Sequence, residues 1–594
     1  MNRSTVHARV LIDELIRSGV RDLCLAPGSR STPLVLAAAA QAENGPLRVR
    51  VFVDERSAAF FALGLGKASG RPAAVLTTSG TAVANLLPAV IEAAWSETPL
   101  LVLTADRPSW LRDSDANQVI VQRGIFGGYP VLALELPEPE VSDRALRHLR
   151  GVASRCVAAS FGLPAGPVHL NVPYDKPLEP GSTPSDLPAG FPAAAEPGLG
   201  GRPEGAPWVQ VGPRRPRGDD DEIDRLATRL AGATRGVVVA GPHPEADRLG
   251  PALRALAVAW GAPLLADPLS GARHGGDGSE PVLGAYDLVL RDVALAGRLR
   301  PDFILRVGAA PTSAAVLSWM DRHGDVPQVV VDAGRRWKDH QARASALLQA
   351  CPVDTLGRLT DRLPPRAAAG EWVTRWVDVD RAARQAALEV EPHEGHIAEA
   401  LTRLVPAGTP LFVSSSMPIR DIDAYGGARE LELPVFGNRG ASGIDGIVSS
   451  ALGVAAGLAR VTVALVGDLA FLHDINGLLA AREGDARVVF VVVDNDGGGI
   501  FHMLPVREHE PAFTPYFATP HGASLAHGAA LYRVPHRSVH FDDLPAALAE
   551  ALDDGSTIVI EVSSDRESNH AGHVASAQRA AEAASAIILS SDAP

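Results

Sequence analysis

Short, unbroken apolar runs rich in β-branched residues recur through the chain, each followed by a helix-length segment. Val461–Val466 and Val488–Val493 are two of them. A strand that reads as a continuous apolar run rather than an alternation is buried on both faces, the condition of parallel sheets covered by helices. The chain therefore reads as α/β, with three doubly wound, mainly parallel sheets. Strands are predicted at Leu23–Ala26, Val49–Val53, Ala73–Thr77, Leu100–Thr104 and Val168–Val172, with one crossover helix over Ala82–Trp95. These give a first domain over residues 1–180. A Pro/Gly-rich linker over 181–221 contains the run from Pro213 to Asp221. A central α/β domain spans 222–363 and, after Pro364-Pro365, a connector runs over 364–393. A third α/β domain fills 394–575, and an Ala/Ser-rich tail, part helix with a frayed end, occupies 576–594.

At 594 residues the chain is long enough for several cores. The net charge of -14 argues against a nucleic-acid groove, because phosphate binding needs a cationic face. Cys24, Cys156 and Cys351 are too few and too scattered for a disulfide framework or a paired-cysteine metal site, and read as buried thiols. The N-terminal stretch MNRSTVHARVLIDELIRSG carries Asp13 and Glu14 and no continuous apolar core of the kind a signal peptide has. No stretch approaches the ~20 apolar residues needed to cross a bilayer. A soluble, cytoplasmic protein with no membrane partner is the expectation.

The third domain carries the most specific pattern. Val461–Val466 ends in Gly467-Asp468-Leu469-Ala470, a helix is predicted over Asp474–Arg482, and the next strand ends in Asn495-Asp496-Gly497-Gly498-Gly499-Ile500-Phe501. From Asp468 to Asn495 is 27 residues, about one strand-helix-strand unit, so both side chains fall at the same edge of a parallel sheet. A carboxylate, an amide oxygen and a carbonyl of the glycine loop suit a hard cation such as Mg²⁺. Glycines let the backbone approach phosphates closely. Taken singly, Asp468 also fits a helix cap and Asn495-Asp496-Gly497 a plain turn. Neither GxxxxGK[ST] nor GxGxxG is present.

In the first domain Glu55 follows the alternation Val49, Val51, Val53. It suits an acid at a strand end, shielded from water, and equally an acid in the first turn of the next helix. Around it lie Pro27-Gly28-Ser29-Arg30-Ser31-Thr32-Pro33, Thr78-Ser79-Gly80-Thr81, Thr104-Ala105-Asp106-Arg107-Pro108 and Ala116-Asn117-Gln118. The third domain adds Ser416-Met417-Pro418-Ile419-Arg420 and Asn438-Arg439-Gly440-Ala441-Ser442-Gly443-Ile444-Asp445-Gly446. Ser29-Arg30, just before a helix start, is already an anion site. Several arginine forks suit substrates that are dicarboxylates.

These motifs, in this order, resemble the thiamine-diphosphate enzymes. Within that superfamily they resemble the branch that joins 2-oxoglutarate to isochorismate, the 2-succinyl-5-enolpyruvyl-6-hydroxy-3-cyclohexene-1-carboxylate synthases. The superfamily's GDG stands here as Gly467-Asp468-Leu469, the form usual in the synthase branch. The resemblance is dense in the first and third domains and only in outline in the middle one. It implies an aminopyrimidine-binding first domain and a diphosphate-binding third domain. It also implies a transferase of menaquinone biosynthesis that decarboxylates 2-oxoglutarate and adds the succinyl carbanion to isochorismate. Thiamine diphosphate with Mg²⁺ or Mn²⁺ would be the cofactors, and the homo-oligomer, dimer or tetramer, would carry active sites at the subunit interface.

Carried over by resemblance, Glu55 is the catalytic acid that activates the cofactor. Asp468, Asn495 and the carbonyl of Gly497 hold the metal. Thr78, Gly80, Ser416, Met417, Gly440, Ile444, Gly467, Leu469, Ala470 and Gly498 line the cofactor. Ser29, Arg30, Arg107, Gln118, Ser416, Arg420, Arg439, Ile500 and Phe501 face substrate. Where some family members carry a basic pair in the middle domain, Ala314 and Ala315 stand here, and Arg273 or Arg306 is an alternative source of that charge. The rival reading is another 2-oxoacid decarboxylase or carboligase of acetolactate synthase type, whose pyruvate carries one carboxylate only.

Overall fold

The computed structural model describes residues 1–183, 186–212, 215–334, 336–364 and 370–591. Pro213 and Arg214 of the linker, Pro365 of the connector and the last three residues of the tail lie outside the described residues. Contact density divides the chain into two units. The first contains residues 1–214, 438–459 and 473–486, and the second 215–437, 460–472 and 487–594.

The first unit is built on a six-stranded sheet in the spatial order Arg48–Val51, Asp22–Leu25, Ala73–Thr77, Leu100–Asp106, Pro167–Pro173, Leu132–Glu135. Its inner strands are buried at every residue, as continuous apolar runs require. The second unit holds two more six-stranded sheets. One runs Ala346–Leu348, Gln328–Val331, Phe303–Val307, Gly236–Ala240, Leu264–Ala266, Val282–Leu283. The other runs Val435–Gly437, Leu411–Val413, Thr462–Gly467, Val488–Asp494, Ile558–Ser563, His536–Val539. Every pairing between these strands is parallel.

Counted within each sheet, the first and third share the strand order 2-1-3-4-6-5, whereas the middle sheet has 3-2-1-4-5-6. The middle order is that of dinucleotide folds, but its first strand leads into Gly241-Pro242-His243-Pro244 and not a GxGxxG turn. In the first and third sheets the chain passes from the second strand across the first to the third. The crevice beyond the carboxyl ends of strands one and three is where open α/β sheets bind ligands. Ala26–Arg30 and Thr78–Gly80 leave that edge of the first sheet, and Ser414–Met417 and Asp468 leave that of the third.

Four local expectations are corrected. Arg48–Val51 is an edge strand that turns Arg50 inward and Val51 outward, because Arg50 is bound by Asp22 and Asp485 and lies over the Phe61 ring. The predicted Ala82–Trp95 helix is two, Thr81–Ala84 and Leu87–Trp95, with Pro88 at the start of the second. Instead of a helix over Asp474–Arg482, an α-helix Asp468–His473 leads into 3₁₀ turns over Ile475–Glu483. The Ala/Ser-rich tail belongs to a continuous helix, Arg566–Ser591, which buries Ala580, Ala584 and Ile588 with Trp376, Val379 and Tyr286. Among the described residues, no helix is long and apolar enough to cross a membrane. Cys24, Cys156 and Cys351 are buried.

Candidate active site

Two groups of side chains collect at sheet edges, one in each unit. In the first unit the turn after Asp22–Leu25 presses against the turn after Ala73–Thr77. A Cβ on Gly28 would fall 2.4 Å from Cβ of Thr78, so only glycine permits the approach. Gly80 has φ +86° and donates its N–H to Oε1 of Gln122 at 3.0 Å. Gln122 in turn donates to Ala105 O and to Oδ1 of Asn171. Gln118 Nε2 donates to Ser79 O at 2.9 Å, and Arg107 donates to the Ser79 hydroxyl. The buried carboxylate of Asp106 accepts the Arg107 backbone N–H at 2.7 Å and an Asn171 amide proton at 2.8 Å.

Arg30 is buried and donates to Tyr174 O at 2.8 Å. Burial lowers the pKa of both Arg30 and Arg107, and for Arg30 the charge of Arg107 adds to the effect. Two guanidiniums that repel one another in a partly dry place form a site for an anion. Glu55 takes no part in these bonds. It is the first residue of helix Glu55–Ser69, whose N-cap Asp54 accepts from Arg56 and Ser57 N–H. Its carboxylate accepts from Asn85 Nδ2 at 3.2 Å and is half-buried, since the strand stops at Val51 and Val53 is 80% exposed.

In the second unit, Asp468 caps its own helix and closes on the glycine turn. Oδ1 accepts the Leu469 N–H at 2.6 Å and Oδ2 the Gly497 N–H at 2.8 Å. Burial raises the Asp468 pKa, against the pull of those two bonds. Asn495 Nδ2 donates to the buried Glu394 at 2.9 Å, which fixes the direction of the amide. Among the described residues, its Oδ1 is covered yet has no hydrogen-bond partner. A covered oxygen aimed by its own amide beside a buried carboxylate has the chemistry of a hard-cation ligand. Gly497 has φ +141°, and a Cβ there would fall 2.1 Å from Ala518 O. His521 Nδ1 accepts the Ala523 N–H at 2.9 Å, so Nε2 carries the proton toward Asp468 Oδ2 at 3.3 Å. Asp468, Asp494 and His521 place polar atoms within 4.8 Å of one another, and the protonated Nε2 is there a donor and not a metal ligand.

Residues 6–125 match the family described as thiamine pyrophosphate enzyme, N-terminal TPP binding domain. Residues 204–413 match its middle domain, and residues 436–562 its C-terminal TPP binding domain. Three relatives carry the name 2-succinyl-5-enolpyruvyl-6-hydroxy-3-cyclohexene-1-carboxylate synthase. That of Halobacterium salinarum is 45% identical over 578 residues, 96% of this chain and 97% of the relative. That of Halorubrum lacusprofundi is 42% identical over 604 residues, covering 96% of each. That of Geobacillus kaustophilus is 41% identical over 573 residues, 95% of this chain and 96% of its own. The chain belongs to this synthase family.

Many of the positions singled out by resemblance to the synthases fall into the two groups. Arg30, Thr78, Gly80, Arg107 and Gln118 gather in the first, with Ser29 exposed at its rim. Arg439, Gly440 and Ile444 lie on a loop of the same unit. Gly467, Asp468, Leu469, Ala470, Asn495, Gly497 and Gly498 gather in the second. Ile500 and Phe501 follow on a 3₁₀ turn, with the Phe501 ring 5.8 Å from that of Phe517. Ser416 has φ +75°, costly for a residue with a Cβ, and its carbonyl accepts from Arg420 at 2.5 Å. Met417 begins the helix that follows.

Neither alternative middle-domain arginine is available to a substrate. Arg273 is fully buried and commits its donors to Ala266 O, Ile422 O, Asp423 O, Tyr286 OH and Asp423 Oδ1. Arg306 is buried, donates to Lys338 O and lies 3.6 Å from Asp339. Ala314 and Ala315 open a helix capped by Ser313. The sequence reading passed over Gln122, Glu394 and His521, none of which belongs to a motif. Their partners lie 42, 101 and 53 residues away.

Proposed function

We propose that the protein decarboxylates 2-oxoglutarate and joins the resulting succinyl unit to isochorismate, as a thiamine-diphosphate-dependent transferase of menaquinone biosynthesis. The observation that carries this reading is the repelling pair Arg30 and Arg107 at the edge of the first sheet, in a chain that belongs to the synthase family throughout its length. Two dicarboxylate substrates bring four carboxylates for such forks, whereas pyruvate brings one.

When bound, thiamine diphosphate supplies a nucleophilic carbon that afterwards serves as an electron sink. Glu55 holds a proton at N1′ of the aminopyrimidine. Asp468, Asn495 and the Gly497 carbonyl hold Mg²⁺ or Mn²⁺ against the diphosphate. The covered Oδ1 of Asn495, without a hydrogen-bond partner among the described residues, supports that assignment. Thr78, Gly80, Ser416, Met417, Gly440, Gly467, Leu469, Ala470 and Gly498 border the cofactor, and Ile444 props it from its apolar side. Ser29, Arg30, Arg107, Gln118, Ser416, Arg420 and Arg439 orient substrate carboxylates and hydroxyls, while Ile500 and Phe501 exclude water.

The domain division is 1–180 for the aminopyrimidine, 222–363 for the central domain and 394–575 for the diphosphate. The working form is a cytoplasmic homodimer or homotetramer with sites at the subunit interface. Val51 and Val53, 58% and 80% exposed beside Glu55, support this, since a second chain would cover them and the acid together.

The test is purified protein with thiamine diphosphate, Mg²⁺, 2-oxoglutarate and isochorismate, the product identified by mass. Formation of the cyclohexene product only with all four present is expected. Turnover with pyruvate but not with 2-oxoglutarate would move the protein to the acetolactate synthase type.

A further inference from the structure

The loop Asn438–Gly446 carries Arg439 and Ile444, and the fold holds it in an unusual way. At its far end Gly446 sits at φ +64°, where a Cβ would fall 1.9 Å from the Phe60 ring. At its near end Gly440 lies on the last turn of helix Leu87–Trp95, where a Cβ would fall 2.5 Å from Ser96 N. Between these two points the loop borders an open pocket of about 210 Å³, lined by Phe60, Leu87 and Ile91 on one side and Ala441 and Gly443 on the other. A segment only partly packed keeps one conformation best where directed bonds hold it.

Those bonds come from one side chain. Glu92, on the same helix and only 3% exposed, accepts the Gly440 N–H on Oε1 at 3.0 Å and the Ala441 N–H on Oε2 at 2.7 Å. Oε1 also faces the Lys67 ammonium at 3.3 Å. Three donors thus converge on two acceptor oxygens. An amide in place of the carboxylate would turn donors of its own toward at least one of them. Hydrogen bonds to an ionised group are the strong class, and these two join peptides 348 and 349 positions away from Glu92.

We propose that Glu92 is the positioning residue of this site. By gripping Gly440 and Ala441 it fixes where Arg439 and Ile444 stand toward substrate and cofactor. This rests on the assignment of Arg439 and Ile444 made under Proposed function.

The test compares full-length Glu92→Gln, Glu92→Asp, Ile444→Ala and Arg439→Lys proteins with the parent. Hydrogen–deuterium exchange of the peptide spanning residues 438–446, without cofactor, is expected to be about 10-fold faster in E92Q, the loss of one charge-assisted bond. Thiamine diphosphate affinity in Mg²⁺ should weaken about 10-fold. KM for one of the two acids should rise more than kcat falls. E92D keeps the charge beside Lys67 but withdraws the oxygens by one methylene. It should therefore show the same changes to a smaller degree and serves where E92Q fails to fold. Parent-like loop exchange, affinity and KM in both Glu92 variants, whatever their melting temperatures, overturn the proposal. If I444A and R439K impair affinity and KM while the Glu92 variants do not, the loop assignment stands and only the role of Glu92 falls. If I444A and R439K are themselves silent, the loop is not at the site, and the reading beneath the proposal falls with it.

Discussion

The first and third sheets share one strand order, yet their corresponding edges carry opposite electrostatics. At the first, Arg30 and Arg107 are aimed by Tyr174 O and Ser79, and burial together with Arg107's charge depresses the pKa of Arg30. At the third, burial raises the pKa of Asp468, and the covered Oδ1 of Asn495 has no donor among the described residues. Topology sets where a ligand goes, since both crevices lie beyond the same strand ends. The few side chains on the turns set its sign.

The largest effect should come from the cation edge. Asp468→Ala removes the buried carboxylate that accepts the Gly497 N–H, and Mg²⁺-dependent binding of thiamine diphosphate should fall below detection in calorimetric titration. Binding as tight as the parent's would break the comparison, because the cation would then lie elsewhere. At the other edge, Glu55→Gln should fold normally and lose at least ~100-fold in turnover, the low end for general acid–base groups. CO₂ release and a melting curve measured together would show this, and near-normal turnover would remove Glu55 from the chemistry. Arg107→Lys keeps the charge but loses the fork held by Ser79. A KM increase of about 10-fold for one acid only would sharpen the comparison by naming the anion read there. Unchanged kinetics with a lower melting temperature would make Arg107 structural.

A further effect, read in stability and not in turnover, tests the support under the first group. Buried Asp474 accepts the Ser449 N–H at 2.7 Å and lies 3.3 Å from the hydroxyl of Ser57, on the helix that begins with Glu55. Burial raises its pKa to about 6. A group whose folded pKa exceeds the unfolded one, near ~4, stabilises fully below the unfolded value, and that contribution is lost as pH rises through the folded value. The unfolding free energy of the parent should therefore fall relative to Asp474→Asn between about pH 4 and pH 6, by on the order of 3 kcal/mol at most, and run parallel above pH 7. A constant difference across that range would show that Asp474 does not titrate there.

The sequence by itself determined the inner strands of the first sheet, two central strands of the third, and the identity of the turn residues at their ends. Residues buried on both faces must be apolar without interruption, and turns that bind ions or phosphate need Gly, Asp and Asn at particular places. It did not show the outer strands Leu132–Glu135, Val282–Leu283, Ala346–Leu348, Val435–Gly437 and His536–Val539. These are short or half-exposed, and their ladder bonds to a neighbour, more than their own composition, define them. The direction of Arg50 was hidden for the same reason, since only Asp22 and Asp485 make an inward arginine tolerable. Glu92, Gln122, Glu394 and His521 could be found only in three dimensions. A residue that acts by holding another leaves no periodicity or spacing in the chain, because its hydrogen bonds reach across tens to hundreds of residues that tertiary packing alone brings together.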